Sequence, residues 1–159
     1  MVAGKHWLEA MRTRSSLPAN LILREFQFPT DYPQVIDLWK HAGSGIHLRK
    51  SDEVEEIKKK VDRDPNLFLV AEINGQIIGT VIGGFDGRRG MIYHLAVDQA
   101  YREKGLGKFL MAELEKRMVN KGCLRSYLLV TRDNLDAIRF YESTGWELMD
   151  LLVYAKDLV

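Results

Sequence analysis

The most constraining feature of the sequence is a strand–loop–helix unit in residues 91–120. An apolar run over residues 91–98 leads into a short basic loop, and Gly105 and Gly107 then open a helix. Apolar side chains recur along this helix at intervals of three and four, which is typical of a helix packed on a sheet: Leu106, Phe109, Leu110, Leu114 and Met118. The N-terminus of such a helix directs unpaired N–H groups and the positive end of the helix dipole at one place. The unit therefore predicts an anion site, which glycine leaves open to phosphate oxygens.

Two common phosphate-binding loops do not match this segment. A P-loop ending at Gly107 and Lys108 would need glycine where Arg102 stands and a hydroxyl side chain where Phe109 stands. The dinucleotide fingerprint G-x-G-x-x-G would need its third glycine at Leu110. The pattern that remains is R-x-x-G-x-G, from Arg102 to Gly107.

This pattern, with Leu-Ala-Val-Asp at residues 95–98 before it, resembles the acetyl-coenzyme-A-binding motif of the GCN5-related N-acetyltransferase (GNAT) superfamily. A second block, residues 134–146, is similar to the N-x-x-A-x-x-F-Y-x-x-x-G-[FW] segment of the same superfamily. Together with the order of predicted elements, the resemblance covers residues 21–159. The chain resembles the small, single-domain prokaryotic members.

Hydrophobic periodicity and turn signals divide residues 21–159 into alternating elements. Strands are expected over 21–28, 67–73, 76–85, 91–98, 125–131 and 148–156, and helices over 32–41, 51–63, 105–120 and 135–143. Asn74-Gly75 predicts a type I′ hairpin. The order β-α-α-β-β-β-α-β-α-β predicts an α/β fold with a mixed sheet and helices on both faces. It is also the order of the GNAT acyl-CoA N-acyltransferase fold. Residues 21–159 are expected to form one domain, and residues 1–20 an extension that is either a short docked helix or a tail.

Composition excludes several classes of protein. A chain of 159 residues is long enough for one substantial core. The net charge of +1 argues against nucleic acid as a partner. A single cysteine, Cys123, excludes an internal disulfide framework and a cysteine-based zinc site, so a reducing cytoplasm is the expected compartment. No apolar run approaches the ~20 residues that span a bilayer, so no membrane contact is expected. No metal cofactor is expected either.

The resemblance implies a role for each matching residue. Backbone groups of the central strand would bind the acetyl and pantetheine parts, N–H groups of the loop would bind the pyrophosphate, and a cation would add charge. The matching residues are Leu95, Ala96 and Val97 for the first set, Glu103, Lys104, Gly105, Leu106, Gly107 and Lys108 for the second, and Arg102 or Lys104 for the cation. A bulge in the strand would turn the N–H of Val97 toward the thioester oxygen as an oxyanion donor. Asn134 would cap its helix and hydrogen-bond the pantetheine arm.

Tyr141 matches the position of a general acid near the coenzyme sulfur. A phenol with a pKa near 10 is protonated at neutral pH, as a proton donor must be. Plainer interpretations remain open at each position. Residues 95–97 could be an ordinary buried strand, Arg102 and Lys104 could be solvated charges, and Tyr141 could be a core tyrosine.

The general base is the missing part of the pattern. Strict strand alternation places Met91, Tyr93 and Leu95 on one face of the sheet, and Ile92 and His94 on the other. The face where some family members carry Glu or His then has neither residue type, and His94 points away from it. We therefore expect a water relay through backbone carbonyls and Tyr93, or a carboxylate such as Asp86, with no single side chain indispensable as base.

The predicted function is acetyl transfer from acetyl-CoA to a primary amine by direct attack on the thioester. Residues 43–47 form the expected acceptor loop. The acceptor remains open among a protein N-terminus, a lysine, an amino acid, a polyamine and an aminoglycoside. The protein could also form a homodimer. The alternative is a catalytically weak or inactive coenzyme-A-binding regulatory protein. A nucleotide-binding module built on the two glycines is disfavoured by the failed spacings.

Overall fold

The structure is a computed structural model of the chain, and it describes residues 16–43 and 45–159. Residues 1–15, most of the predicted N-terminal extension, and Ser44 in the predicted acceptor loop lie outside the described residues. The strands are β1 Leu21–Glu25, β2 Phe68–Ile73, β3 Gln76–Phe85, β4 Gly90–Val97 and β5 Ser126–Leu128. The helices are α1 Tyr32–His41, α2 Val54–Arg63, α3 Leu106–Asn120 and α4 Leu135–Ser143, with short 3-10 helices at Lys50–Asp52 and Gln99–Tyr101.

The strands form one mixed sheet in the order β1-β2-β3-β4-β5. The first four strands are antiparallel neighbours, and β5 runs parallel to β4. The predicted hairpin joins β2 to β3, with Asn74 at φ 51° and Gly75 at φ 81°. A type I′ turn requires positive φ at both central residues, so the dipeptide has the conformation that its sequence predicts.

Helices cover both faces of the sheet, as the predicted α/β class requires. On one face, α1 and α2 bury apolar side chains against β2, β3 and β4: Val35, Leu38, Trp39 and Ile57. On the other face, α3 buries the stripe expected from its periodicity: Leu106, Leu110, Met111, Leu114 and Met118. Phe140 and Tyr141 of α4 pack against this second cluster. The two faces therefore carry separate cores, and the central strands contribute to both.

The sheet opens between β4 and β5. Their parallel pairing begins at Gly90↔Ser126 and ends at Ile92↔Leu128, whereas β4 continues to Val97. The second half of β4 therefore pairs with β3 along one edge. Its other edge is not paired with β5, because β5 has already ended. We call this opening the wedge. The wedge forms because β5 ends at Leu128. The sequence predicts a longer strand, over residues 125–131.

The predicted last strand, over residues 148–156, does not form. The structure assigns these residues no regular element, and Leu148 and Tyr154 are each 88% exposed. Apolar composition favours an extended strand, but a strand is completed only by hydrogen bonds to a neighbour. No strand in the described residues pairs with this segment, so that element of the prediction is wrong.

An irregularity in β4 determines which side chains face which core. Thr80 pairs with Ala96 and Ile82 pairs with Tyr93, so Val81 alone lies opposite both His94 and Leu95. Two residues opposite one define a β-bulge. His94 accommodates the extra residue with φ 51°, in the left-handed region.

Thr80 stabilises the bulge from within the core. Its fully buried hydroxyl accepts a hydrogen bond from Nε1 of Trp39 (2.8 Å) and donates one to the backbone oxygen of His94 (3.1 Å). One hydroxyl therefore satisfies both the buried indole of α1 and the carbonyl at the bulge.

We predict that Thr80→Val lowers the free energy of unfolding by about 1–3 kcal/mol. The substitution keeps the side-chain volume but leaves a buried indole N–H and a backbone carbonyl without their partner. Urea unfolding measures the change, and Thr80→Ser, which keeps the hydroxyl, is the matched control. A valine variant as stable as the serine variant would contradict the role assigned to this hydroxyl.

Candidate active site

The end of β4 presents backbone groups to the wedge. The N–H of Asp98 donates to the oxygen of Ile78 on β3 at 2.8 Å. Backbone groups of successive residues point to opposite edges of a strand, so the N–H and C=O of Val97 point away from β3. The Val97 carbonyl indeed accepts a hydrogen bond from Nε of Arg102, at 3.0 Å, on that side. The Val97 amide is therefore directed into the opening, as an oxyanion donor would have to be.

The N-terminus of α3 lies beside the same opening. Gly105 precedes the helix with φ 87° and Glu103 has φ 60°, so the loop turns sharply through two left-handed residues. The first N–H groups of the helix have no partner within it. A Cβ added at Gly107 would lie 3.4 Å from the ring of Phe140 and 3.9 Å from Val97. The residue thus stands where β4, α3 and α4 approach one another.

The two loop cations have different surroundings. Arg102 donates to the carbonyls of Val97, at 3.0 Å, and of Ala42, at 2.7 Å, so its guanidinium links the end of β4 to the end of α1. Lys104 donates to the carbonyl of Ala100 at 3.0 Å and lies over the ring of Tyr101. Both side chains lie at the protein surface. The two hydrogen bonds give Arg102 a structural role, and its expected role as a ligand of the coenzyme stays a prediction.

The acceptor loop runs past the N-terminus of α4. Asn134 caps that helix, because its side-chain oxygen accepts from the N–H of Ala137 at 3.2 Å. A Cβ on Gly45 would come within 2.9 Å of Nδ2 of Asn134. A hydrogen bond from Thr131 is the main cause that lowers the pKa of Asp133, and the nearby His47 lowers it further. The described residues of the loop therefore lie against the segment expected to hold the pantetheine arm.

Tyr141 lies among aromatic side chains of α4 and the segment after it. Its ring makes edge contacts with Phe140, at 5.2 Å between centroids, and with Trp146, at 6.2 Å. Burial raises the pKa of Tyr141 to about 12. The phenol is consequently a firmly protonated group at neutral pH.

The alternation expected for β4 is wrong at His94. Because the bulge inserts one residue, Tyr93 and His94 are both on the side of the sheet covered by α1 and α2, where Tyr93 is partly exposed near Lys60 and His94 lies against Trp39. Ile92 and Leu95 face α3. The His94 ring lies 4.4 Å from that of Trp39, and its Nε2 is 2.7 Å from Oδ1 of Asp52.

The two other base candidates from the sequence have unsuitable surroundings. A Cβ on Gly84 would lie 2.6 Å from the hydroxyl of Tyr93, so this phenol covers the first half of the strand, away from Val97. Its pKa is raised by burial. Asp86 lies in the β3–β4 turn, where the N–H groups of Arg89 and Arg88 hydrogen-bond its carboxylate and lower its pKa.

Asp52 is a partner of His94 that sequence patterns missed. It lies 42 positions before its histidine partner in a short 3-10 helix, and neither periodicity nor a local motif marks it. Among the described residues, no group of three or more His, Cys, Asp and Glu side chains could hold a metal ion. No helix in the described part of the chain is long and apolar enough to cross a bilayer.

Comparison with known proteins decides the family. The family model described as "Acetyltransferase (GNAT) family" matches residues 32–146. The chain belongs to the GNAT acetyltransferase family. A Yersinia pestis protein named acetyltransferase is 40% identical over 138 residues, which are 86% of this chain and 95% of the relative.

Solved GNAT-type structures share the fold. The PaiA N-acetyltransferase of Thermoplasma acidophilum, solved with coenzyme A, superposes with a TM-score of 0.73 at 24% identity, covering 82% of this chain and 92% of that one. AAC(6′)-Iy, solved with the bisubstrate analogue CoA-S-monomethyl-acetylneamine, gives a TM-score of 0.70 at 16% identity and covers 89% and 100% of the two chains. The predicted family, the α/β fold class and the prediction of an acetyl-CoA-dependent N-acetyltransferase are confirmed.

We predict that the burial of Tyr141 makes the stability of this GNAT protein depend on alkaline pH. The folded chain holds the phenolic proton more tightly than the unfolded chain, whose tyrosines titrate near 10.0. This contribution is fully present below pH 10 and is lost as the pH rises toward about 12, by up to about 1.4 kcal/mol per pH unit.

Urea unfolding between pH 8 and 11 should therefore show a shallower decline for Tyr141→Phe than for the wild type. Tyr154→Phe, in the exposed C-terminal segment, is the control and should decline as the wild type does. Parallel curves for the wild type and Tyr141→Phe would show that the Tyr141 phenol does not titrate differently in the two states.

Proposed function

We propose that the protein transfers the acetyl group of acetyl-CoA to a primary amine that attacks the thioester directly, with the coenzyme bound along the wedge. One observation carries the proposal. The free edge of β4, the N-terminus of α3 and the aromatic face of α4 meet at Gly107, and a side chain there would contact both Val97 and Phe140.

The chemistry of this opening suits the coenzyme. The N–H groups of residues 103–108 and the positive end of the helix dipole suit a diphosphate. The backbone of Leu95, Ala96 and Val97 would hold the acetyl and pantetheine parts as an added strand holds to a sheet edge. Asn134 would contribute its amide to the pantetheine arm, because its side-chain oxygen is already used in capping.

Two groups would act on the thioester. The Val97 amide, fixed at the end of a paired strand, would donate to the carbonyl oxygen as negative charge develops there; loss of one such donor costs about 2.7–4 kcal/mol in enzymes studied this way. Tyr141 would give its proton to the departing thiolate. A phenol protonated up to about pH 12 supports that role, because it is fully in the acid form at neutral pH.

The proposed acceptor is a molecule that bears a primary amine. The comparison structure of AAC(6′)-Iy contains a bisubstrate analogue that joins coenzyme A to an acetylneamine. For this chain, Gly45 and His47 of the acceptor loop lie against the N-terminus of α4, beside the proposed pantetheine arm. An amine held by this loop would approach the coenzyme from the α1–α2 side of the sheet.

The function is tested by release of free thiol from acetyl-CoA in the presence of an amine panel. The panel contains neamine, spermidine, free lysine and a short peptide with an unblocked N-terminus, each compared with its N-acetylated form. We expect at least one free amine, and none of the blocked forms, to stimulate thiol release. Tight coenzyme binding with no stimulated turnover at any pH would favour a regulatory protein that binds coenzyme A.

We predict that Gly107→Ala weakens coenzyme A binding at least about tenfold and leaves the fold intact. The new Cβ has room beside Phe140 and Val97 but would occupy the approach of a phosphate oxygen to the helix N-terminus. A single hydrogen bond to a charged group is worth about 1.5–3 kcal/mol, which is tenfold or more in affinity. Alanine also favours a helix over glycine by about 0.5–1 kcal/mol, so the stability should not fall.

Isothermal titration calorimetry with coenzyme A measures this affinity, and urea unfolding measures the stability. The control is Val119→Ala, an exposed substitution at the opposite end of α3, which should change neither affinity nor fold. An unchanged dissociation constant for Gly107→Ala would remove the diphosphate from this helix N-terminus.

A further inference from the structure

His94 is an unusual residue because its backbone is strained and its side chain is fixed. Its φ of 51° is in the left-handed region, which L-residues other than asparagine and aspartate rarely adopt. Such a conformation persists when the surrounding structure determines it, and it occurs frequently at functional sites. Here Thr80 holds the backbone carbonyl and Trp39 lies against the ring.

The carboxylate partner of His94 is also fixed. The Asp52 side chain is only 7% exposed, and its Oδ2 accepts from the N–H of Arg49 at 2.8 Å. The hydroxyl of Tyr32 donates to the Asp52 carbonyl at 2.9 Å. Oδ1 is left to accept from Nε2 of His94, at 2.7 Å.

This arrangement determines which ring nitrogen is basic. An ionised carboxylate only accepts hydrogen bonds, so a neutral imidazole bonded to it carries its proton on Nε2. The lone pair is then on Nδ1. The same division of roles, with a carboxylate orienting a histidine whose other nitrogen accepts a proton, is effective in enzymes because it fixes both tautomer and orientation.

The position of the pair joins the two halves of the proposed site. His94 directly precedes the residues 95–97 that would hold the acetyl arm, and its side chain is 20% exposed rather than sealed in the core. Asp52 ends the segment that follows the acceptor loop. The pair therefore links the segment that follows the proposed acceptor loop to the strand that would hold the thioester.

We propose that His94, oriented by Asp52, is the general base that deprotonates the acceptor ammonium. This inference rests on the proposed acetyl transfer. The R–NH₃⁺ group gives one proton to Nδ1 of His94 and becomes R–NH₂. The amine nitrogen then forms a bond to the thioester carbon as the C–S bond breaks. The departing thiolate takes the proton of Tyr141, and the phenol is restored by the second proton that the new amide nitrogen loses.

Other titratable groups around the pair do not replace it. Tyr32 reaches Asp52 from α1, and its pKa is raised by burial and by Glu53 and Asp52. Tyr93, the neighbour on β4, points toward Lys60 and Asp64 instead. Burial lowers the pKa of Lys60, and that amine is paired with Asp64 at 2.5 Å.

The decisive variant is His94→Asn. Asparagine tolerates the left-handed region, so the bulge can persist, but it cannot take a proton. With the amine that the panel selects, kcat should fall about 100-fold or more, and the acid limb of the kcat/KM profile should disappear, while the dissociation constant for coenzyme A stays within twofold. The matched control is His41→Asn, which removes an exposed histidine at the end of α1 and should preserve both rate and profile.

Asp52→Asn tests the positioning role. It keeps a hydrogen-bonding side chain but removes the charge that favours the protonated imidazole, so the acid limb should move to lower pH with a fall in kcat larger than any change in KM. Asp37→Asn, which alters the exposed partner of His41, is its control. If the pH profile of kcat/KM for Asp52→Asn is identical to that of the wild type, Asp52 does not have this role.

A second readout does not depend on activity. Long-range ¹H–¹⁵N NMR of the ligand-free wild type should show that the neutral His94 ring carries its proton on Nε2 and not on Nδ1. The opposite tautomer would overturn the assignment, whether or not the asparagine variant folds.

If the wild type turns over an amine and His94→Asn matches it, only the base assignment fails. If the wild type binds coenzyme A and turns over no amine, the proposed function fails and the base assignment fails with it.

Discussion

The structure around the site depends on one extra residue in β4, opposite Val81. Without it, strand alternation would send His94 into the core beneath α3 and leave Asp52 without its partner. With it, two consecutive side chains face α1 and α2, and the strand still delivers Leu95 and Val97 to the other core. The hydroxyl of Thr80 holds this local change of register in place, because it bonds to both the bulge carbonyl and the indole of α1.

In the proposed reaction, the sheet separates the groups that would bind the coenzyme from those that would receive the amine. On one face, α3 and α4 build a glycine-lined turn and a protonated phenol beside the open edge of β4. On the other face, His94 of β4 pairs with Asp52, which lies in the segment between α1 and α2 that also contains the proposed acceptor loop. The end of β4, like the other central strands, contributes to both faces.

The sequence predicted well what is encoded locally. The order of elements, the Asn74-Gly75 hairpin, the stripe of α3 and the cap at Asn134 all follow from residues close together in the chain. The face of His94 was predicted wrongly, because a bulge is set by the register between β3 and β4 and leaves no mark in β4 alone. The failure of the strand over residues 148–156 has a similar origin, since its apolar side chains specify extension but not a partner. Asp52 was missed because only the packing of the 3-10 helix against β4 brings it to His94.

Arg102 gives this layout a mechanical property. A single guanidinium is bonded to the carbonyl that ends β4 and to the carbonyl that ends α1, two points 55 positions apart in the chain (residues 97 and 42). The planar fork of arginine can span two such acceptors at fixed angles, which a lysine ammonium cannot do. A shift of the end of α1 would therefore be passed to the end of β4 through this one side chain. The positions of these two chain ends are thus set together, by a side chain that belongs to neither element.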